Sequence, residues 1–379
     1  MIRVAERTLR RRELPTSQKL GIISLLPKGT KDQRHLKNWR PICLINTLYK
    51  LIAGSMAERL SEALEEIVSH EQTGFLSGRY INENNIITSN IIEHAKKHKK
   101  PGLMVQIDFA KAFDCVNRKF MYKVMEYFGF GRKFVCYIRT LTKDFEAVVQ
   151  HAGNLTMKFP LKRGVKQGDP LSSLLFIMCV EILAIRLKED NLLRHYNMDG
   201  VLVKQVLYAD DCNIFLAYHS DSLRRLIKIL EDFKRLSGLK IALNKTQVVY
   251  LGGTYTQNLR LCPDIDLAWE QKFRLLGIDF NGSGEEKGYI NYNSKIDEIY
   301  TEMTGWRNRS LSCEGRRNVV NSLFLSKLTH ITSVVPNLKR PEINKLESKL
   351  YEFIWGTKSS KMPRKEAKLP PEQGGFRGP

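Results

Sequence analysis

Tyr208-Ala209-Asp210-Asp211 stands between two short apolar runs, Val206-Leu207 and Ile214-Phe215-Leu216, so two adjacent carboxylates are presented where the pattern predicts the tip of a β-hairpin. Side by side, the two charges repel. A hard divalent cation held through oxygen relieves that repulsion, which is how Mg²⁺ is bound at phosphoryl-transfer sites. A turn whose aspartates merely cap backbone N–H groups accounts for these four residues equally well when they are taken alone.

Two further segments shift the balance. Leu103-Met104-Val105-Gln106-Ile107 is an apolar, strand-like run that ends in Asp108, and Phe109-Ala110-Lys111-Ala112-Phe113-Asp114 turns from it into a helical stretch. A neighbouring strand thus delivers a third carboxylate. Between the acidic segments lies Gly164-Val165-Lys166-Gln167-Gly168-Asp169-Pro170-Leu171, a glycine-bearing loop that enters a strongly apolar helix. Glycine lets backbone approach a ligand closely, and proline suits a helix start because its φ is already helical.

At these residues the chain resembles reverse transcriptases, and more closely the enzymes of non-LTR (LINE-type) retrotransposons. The resemblance rests on an ordered set: Asp108 with Phe113-Asp114, Gly164 to Pro170, Tyr208 to Asp211, and Gly238-Leu239-Lys240 through Lys245-Thr246. Leu26-Pro27-Lys28 and Asn38-Trp39-Arg40-Pro41-Ile42 precede these segments, and Leu275-Leu276-Gly277-Ile278 follows them. Each motif is weak singly, but four or more in family order are specific, and the match runs from about Pro15 to about Gly375.

The resemblance implies an α+β right-hand polymerase with fingers, a ferredoxin-like palm built on an antiparallel sheet, and a helical thumb. It implies RNA-directed DNA synthesis with two Mg²⁺ ions, Mn²⁺ being the alternative cation, on Asp108, Asp210 and Asp211. RNA template, DNA primer and deoxynucleoside triphosphates are the implied partners. Lys245 takes the place of a general acid for the pyrophosphate. Lys28 and Arg40 grip the triphosphate, Gln167 and Gly168 face the incoming nucleotide, and Tyr208 packs behind the primer. Phe113 lies under the incoming sugar, where its ring clashes with a ribose 2′-hydroxyl. Departures from the pattern are mild, as at Ser173, where many relatives carry proline. An inactive RNA-binding or maturase-like relic of the same fold is the alternative; a viral-type RNA polymerase fits less well because of Ala209 and Phe113.

Composition agrees with a nucleic-acid partner. Among 379 residues, 61 basic against 40 acidic side chains leave +21, and each cation that neutralises a phosphate releases condensed counterions. No compact polybasic amphipathic segment favours a membrane surface instead. The longest apolar stretch, Leu174 to Val180, is too short to span a bilayer. Seven widely spaced cysteines without a Cys-x-x-Cys pair read as buried thiols in a reducing, intracellular compartment, cytoplasm and nucleus in a eukaryote. His94 and His98 are spaced i, i+4 on a predicted helix and could bind metal, but set among Lys96, Lys97, Lys99 and Lys100 they read rather as a solvated basic face.

Taken with the resemblance, the order of patterns implies a basic linker over 1–18, fingers over 19–100, a palm over 101–280, a helical thumb over 281–355 and a polar basic tail over 356–379. The palm is expected to hold a helix from Arg118 to Tyr127, a hairpin near Glu146 to Phe159, a helix from Leu171 to Leu187 and a closing strand at Val248 to Leu251. No endonuclease or accessory nucleic-acid module is recognisable, which makes the chain look like a piece of a longer reading frame or a degraded genomic copy.

Overall fold

Period-two alternation along Gly102–Ile107 turns Leu103, Val105 and Ile107 to one face, where they share a buried core with Cys212, Ile214 and Leu216 of the strand Asp211–Ala217. In the computed structural model, which describes residues 2–29, 32–284, 288–357, 361–373, 375 and 378, these strands lie at the centre of a five-stranded sheet. The strand order is Ala268–Glu270, Gln247–Leu251, Gly102–Ile107, Asp211–Ala217, Gln205–Tyr208. All neighbours are antiparallel except Gln247–Leu251 with Ala268–Glu270.

The helices Arg118–Tyr127, Ser172–Glu189 and Ser220–Ser237 contribute to the same core. Leu174 to Val180 is apolar all round because this stretch of its helix is buried on every side. Gly238, at φ +77, ends the third helix with its N–H on the Lys234 carbonyl.

The hairpin expected in the palm near Glu146 to Phe159 forms, but in another sheet. Glu146–His151 runs parallel to Leu20–Pro27, which is itself antiparallel to Trp39–Ile45. Local alternation reveals a strand and leaves open which sheet it joins, since that choice depends on partners more than 100 residues away.

The chain divides into two compact units, one made of Met1–Asn84, Pro101–Leu251 and Tyr255–Glu270, the other of Asn85–Lys100, Gly252–Thr254 and Gln271–Pro379. In the second, Lys272–Leu275 and Ile278–Asn281 form a hairpin about Leu276 and Gly277, whose φ values of +45 and +91 suit a type I′ turn. Helices Gly288–Arg307, Cys313–Val319, Ser326–Thr332 and Arg340–Trp355 follow, the middle two joined by a π-helical segment, Val320–Leu325.

Three details differ from the sequence reading. The start, read as irregular, contains a helix, Ile2–Arg11, with Thr8 buried. The polar tail contains a short helix, Arg364–Ala367, anchored by the buried Ala367, while Lys358 lies outside the described residues. Cys43, Cys179, Cys212 and Cys262 are buried, whereas Cys313 is exposed. Among the described residues no helix is long and apolar enough to cross a membrane.

Candidate active site

The acidic residues meet because the central strands end together. The last ladder pair between them is Cys212 with Ile107, so one step further the register sets Asp211 against Asp108. Since Cys212 and Ile107 face the helical core, the alternation turns both carboxylates to the opposite face. Asp210 sits in the two-residue turn between Tyr208 and Asp211, which pair with each other.

Asp210 and Asp211 reach solvent yet are ringed by protein. Desolvation raises the Asp210 carboxyl, and Asp108 adds to the effect while Arg40 opposes it. Desolvation, then the charges of Asp210 and Asp108, push Asp211 up to about 6. The oxygens of the three carboxylates do not all converge within 4.8 Å of one another. The donors are hard oxygens in a mutually repelling set, which fits a divalent cation of the Mg²⁺ class.

Lys245 arrives through backbone pairing. Ala110 N–H donates to the Lys240 carbonyl at 2.8 Å and Ala242 N–H to the Asp108 carbonyl at 2.9 Å, so the segment after Gly238 lies against the acidic strand end. The turn Leu243–Lys245 then brings the Lys245 ammonium 3.5 Å from Asp108 Oδ2. Both side chains are solvated, so the pair itself contributes little stability.

The glycine loop is pinned at both ends. Val165 N–H donates to the Phe113 carbonyl at 2.8 Å, and a Cβ on Gly164 would lie 2.7 Å from that oxygen. At the other end Cys43 N–H donates to the Gln167 carbonyl at 2.8 Å, and a Cβ on Gly168, at φ +103, would lie 2.7 Å from the Cys43 carbonyl. Gln167 is half-buried and Gly168 exposed, as a loop facing a ligand requires.

Beneath this loop lies a charged network that the motif alone did not reveal. The Lys166 and Asp169 side chains are each 3% exposed and 3.1 Å apart. The Lys166 ammonium donates to the Tyr49 hydroxyl at 2.7 Å and lies over the Tyr49 and Phe145 rings. Tyr49 donates to Asp169 at 2.6 Å, and Asp169 accepts from Leu171 N–H at 3.1 Å at the start of the following helix. Burial lowers the Lys166 pKa, with Asp169 acting against it.

Phe113 stacks on Phe176 with centroids 4.7 Å apart, which fixes the height of its ring. Tyr208 is half-buried and lies 6.4 Å from the Phe75 ring. Arg40 is exposed on the strand Trp39–Ile45 and acts electrostatically on Asp210. Lys28 is engaged elsewhere: its ammonium donates to the Lys37 carbonyl at 2.9 Å, closing the hairpin of its own strands.

A family described as reverse transcriptase (RNA-dependent DNA polymerase) matches residues 26–280, which include every one of these groups. The chain belongs to the reverse transcriptase family. Enzymes of this family use divalent metal ions. The chain is 29% identical over 365 residues to the transposon TX1 149 kDa protein of Xenopus laevis, covering 93% of this chain and 27% of that protein. It is 26% identical over 296 residues to the retrovirus-related Pol polyprotein from the type-2 retrotransposable element R2DM of Drosophila melanogaster, covering 75% and 27%. The chain thus spans about a quarter of the length of these relatives, which are proteins of non-LTR elements. A telomerase of Candida tropicalis, solved in complex with a TWJ fragment of telomeric RNA, shares the fold with a TM-score of 0.52 at 15% identity, over 91% of this chain and 55% of that one.

Proposed function

We propose that this reverse transcriptase chain extends a primer 3′-hydroxyl with deoxynucleoside triphosphates on an RNA template during retrotransposition, by two-metal-ion nucleotidyl transfer. In this reading 19–100 serve as fingers, 101–280 as palm and 281–355 as thumb. The observation that carries it is the junction of Asp108, Asp210 and Asp211 at the ends of adjacent antiparallel strands, with the pKa of Asp211 raised to about 6. These three residues would hold two Mg²⁺ ions, with Mn²⁺ as a substitute. When bound, the ions supply activation of the primer oxygen and neutralisation of charge on the leaving pyrophosphate.

The remaining roles are those that the resemblance to the family implies. Arg40 meets the triphosphate with its planar fork, and Lys28 gives charge to the same end of the fingers. Gln167 and Gly168 let backbone and amide approach the nucleotide base and sugar. Lys245 Nζ donates a proton to the pyrophosphate as it leaves. Tyr208 backs the primer terminus. The excess of 21 positive charges holds the primer-template through phosphate contacts, so affinity should fall steeply with salt.

The reading is tested by extension of a DNA primer annealed to an RNA template, with deoxynucleotides and Mg²⁺. RNA binding without any extension would reject it. Phe113→Ala should lower discrimination against ribonucleotides by about tenfold or more, because a pocket of altered shape loses its clash with the 2′-hydroxyl. Unchanged sugar selectivity, read from competing single-nucleotide insertions, returns Phe113 to a packing role on Phe176.

Acidity supplies another test. Asp211 holds its proton up to about pH 6, and a cation must displace it, so Mg²⁺ affinity should fall as pH drops through that value. The sign for folding is opposite in the metal-free chain. At Asp211 the native form binds more of the proton than the unfolded form between about pH 4 and 6, so this group's contribution to stability declines as pH rises through that window. Asp211→Asn should remove this contribution from both dependences, seen as the difference between wild type and variant in calorimetric Mg²⁺ titrations and urea melts at several pH values.

A further inference from the structure

The turn that carries Asp210 contains a strained residue held from far away in sequence. Ala209 has φ +54, in the left-handed region where a Cβ is unfavourable, and two-residue hairpins with a positive φ at this position ordinarily place glycine there. Its N–H donates at 2.9 Å to Oε1 of Gln72, 137 residues earlier. That oxygen also accepts from Gly74 N–H at 3.0 Å, and Gln72 is 1% exposed.

Residues 71–73 lie along Gln205–Tyr208 as an added rung. Leu207 N–H donates to the Glu71 carbonyl at 2.8 Å, Thr73 N–H donates to the Leu207 carbonyl at 2.9 Å, and Gln72 bridges Leu207 in parallel sense. The Arg79 guanidinium donates to the carbonyls of Ser69, Gln72 and Val68 at 2.6, 2.7 and 2.9 Å, fastening the segment from behind. Gly74 leaves the necessary room: a Cβ there would lie 2.7 Å from Ala209 N.

We propose that Gln72 is a positioning residue for Asp210. Its Oε1 holds the left-handed Ala209 turn and thereby aims the Asp210 carboxylate, with Gly74 permitting the close approach. The proposal rests on reading Asp210 as a metal ligand of the polymerase. Gln72 touches no reacting atom, so it acts on the rate of the chemical step and leaves nucleotide and template binding alone.

The test compares wild type, Gln72→Met, Ala209→Gly and the double variant in the full chain. Hydrogen exchange of the peptide covering 205–212 and steady-state single-nucleotide extension are measured together. Gln72→Met keeps the shape and loses the acceptor. It should speed exchange in that peptide and lower kcat by about tenfold to 100-fold, with KM for the nucleotide within about twofold of wild type. Ala209→Gly should restore much of kcat in the Gln72→Met background, because glycine adopts the turn without support; a general loss of folding would not be rescued this way. If Gln72→Met does not fold, Gly74→Ala, which presses on Ala209 N, should produce the same kcat loss.

Unchanged exchange, or unchanged kcat in an active enzyme, overturns the proposal. An inactive wild type whose exchange still responds to Gln72→Met overturns the polymerase reading and supports the turn-holding role.

Discussion

Asp210→Asn is expected to reduce primer extension by more than about 100-fold, exceeding the loss typical of residues that merely orient a ligand. The asparagine keeps the size of the side chain and its place in the turn but offers one neutral oxygen where a charged carboxylate stood. Folding should not suffer. Asp210 raises the pKa of Asp211 by repulsion, so removing its charge relieves the cluster and lets Asp211 ionise more readily. RNA affinity should persist, because it derives from phosphate contacts spread over a chain of net charge +21. Extension assays, urea melts and RNA titrations separate these outcomes. A variant that extends primers normally would sink the metal-site assignment.

Asp169→Ala should give the largest loss of stability. It strands the Lys166 ammonium, 3% exposed, without its carboxylate, and breaking one side of a buried pair costs about 3–5 kcal/mol. The same change removes the acceptor for Leu171 N–H, about 1 kcal/mol more. Against a total stability of about 5–15 kcal/mol for a domain, this is a substantial fraction. Lys166→Met should cost less: Asp169 keeps the Tyr49 hydroxyl and the Leu171 N–H as donors, and the apolar stem still packs against the Tyr49 and Phe145 rings. Adding Lys166→Met to Asp169→Ala should recover part of the loss, because the stranded charge is gone. Urea unfolding of the two single variants and the double one measures this coupling, and a loss below about 1 kcal/mol for Asp169→Ala would contradict it. Gln167 and Gly168 lie between the pair, so folded variants should also show a raised KM for the nucleotide.

Much of the palm was legible because its elements carry strong local patterns. The helix Arg118–Tyr127, the strand leading to Asp108 and the acidic hairpin fall where periodicity and turn residues place them. The hairpin near Glu146 was recognised as a hairpin and given the wrong sheet, since its partner strand Leu20–Pro27 is remote in sequence. The helix Ile2–Arg11 was missed because its four arginines and low apolar content read as a basic linker, although its few apolar residues do recur at the helical period.

The site divides in the same way. Asp108, Asp210 and Asp211 were readable as acids that end neighbouring strands, because three ordered motifs point to that arrangement where the Asp pair alone does not. Lys28 was readable as a cation, but its contact with the Lys37 carbonyl depends on hairpin closure. Gln72, Tyr49, Lys166 and Asp169 carried no separate signal. A buried glutamine and a surface glutamine look alike in a sequence, and so do a buried ion pair and two solvated charges.

The sequence by itself determined which elements form, which residues are acidic, basic or apolar within them, and the family to which their order belongs. Only the tertiary structure decided which strands lie side by side, and so which carboxylates repel, which lysine meets Asp108 and which amide supports Ala209. The reason is one of range. Propensity and periodicity act over a few residues along the chain, whereas desolvation, charge coupling and hydrogen bonds to a strained turn depend on distances in space, set when the whole sheet pairs.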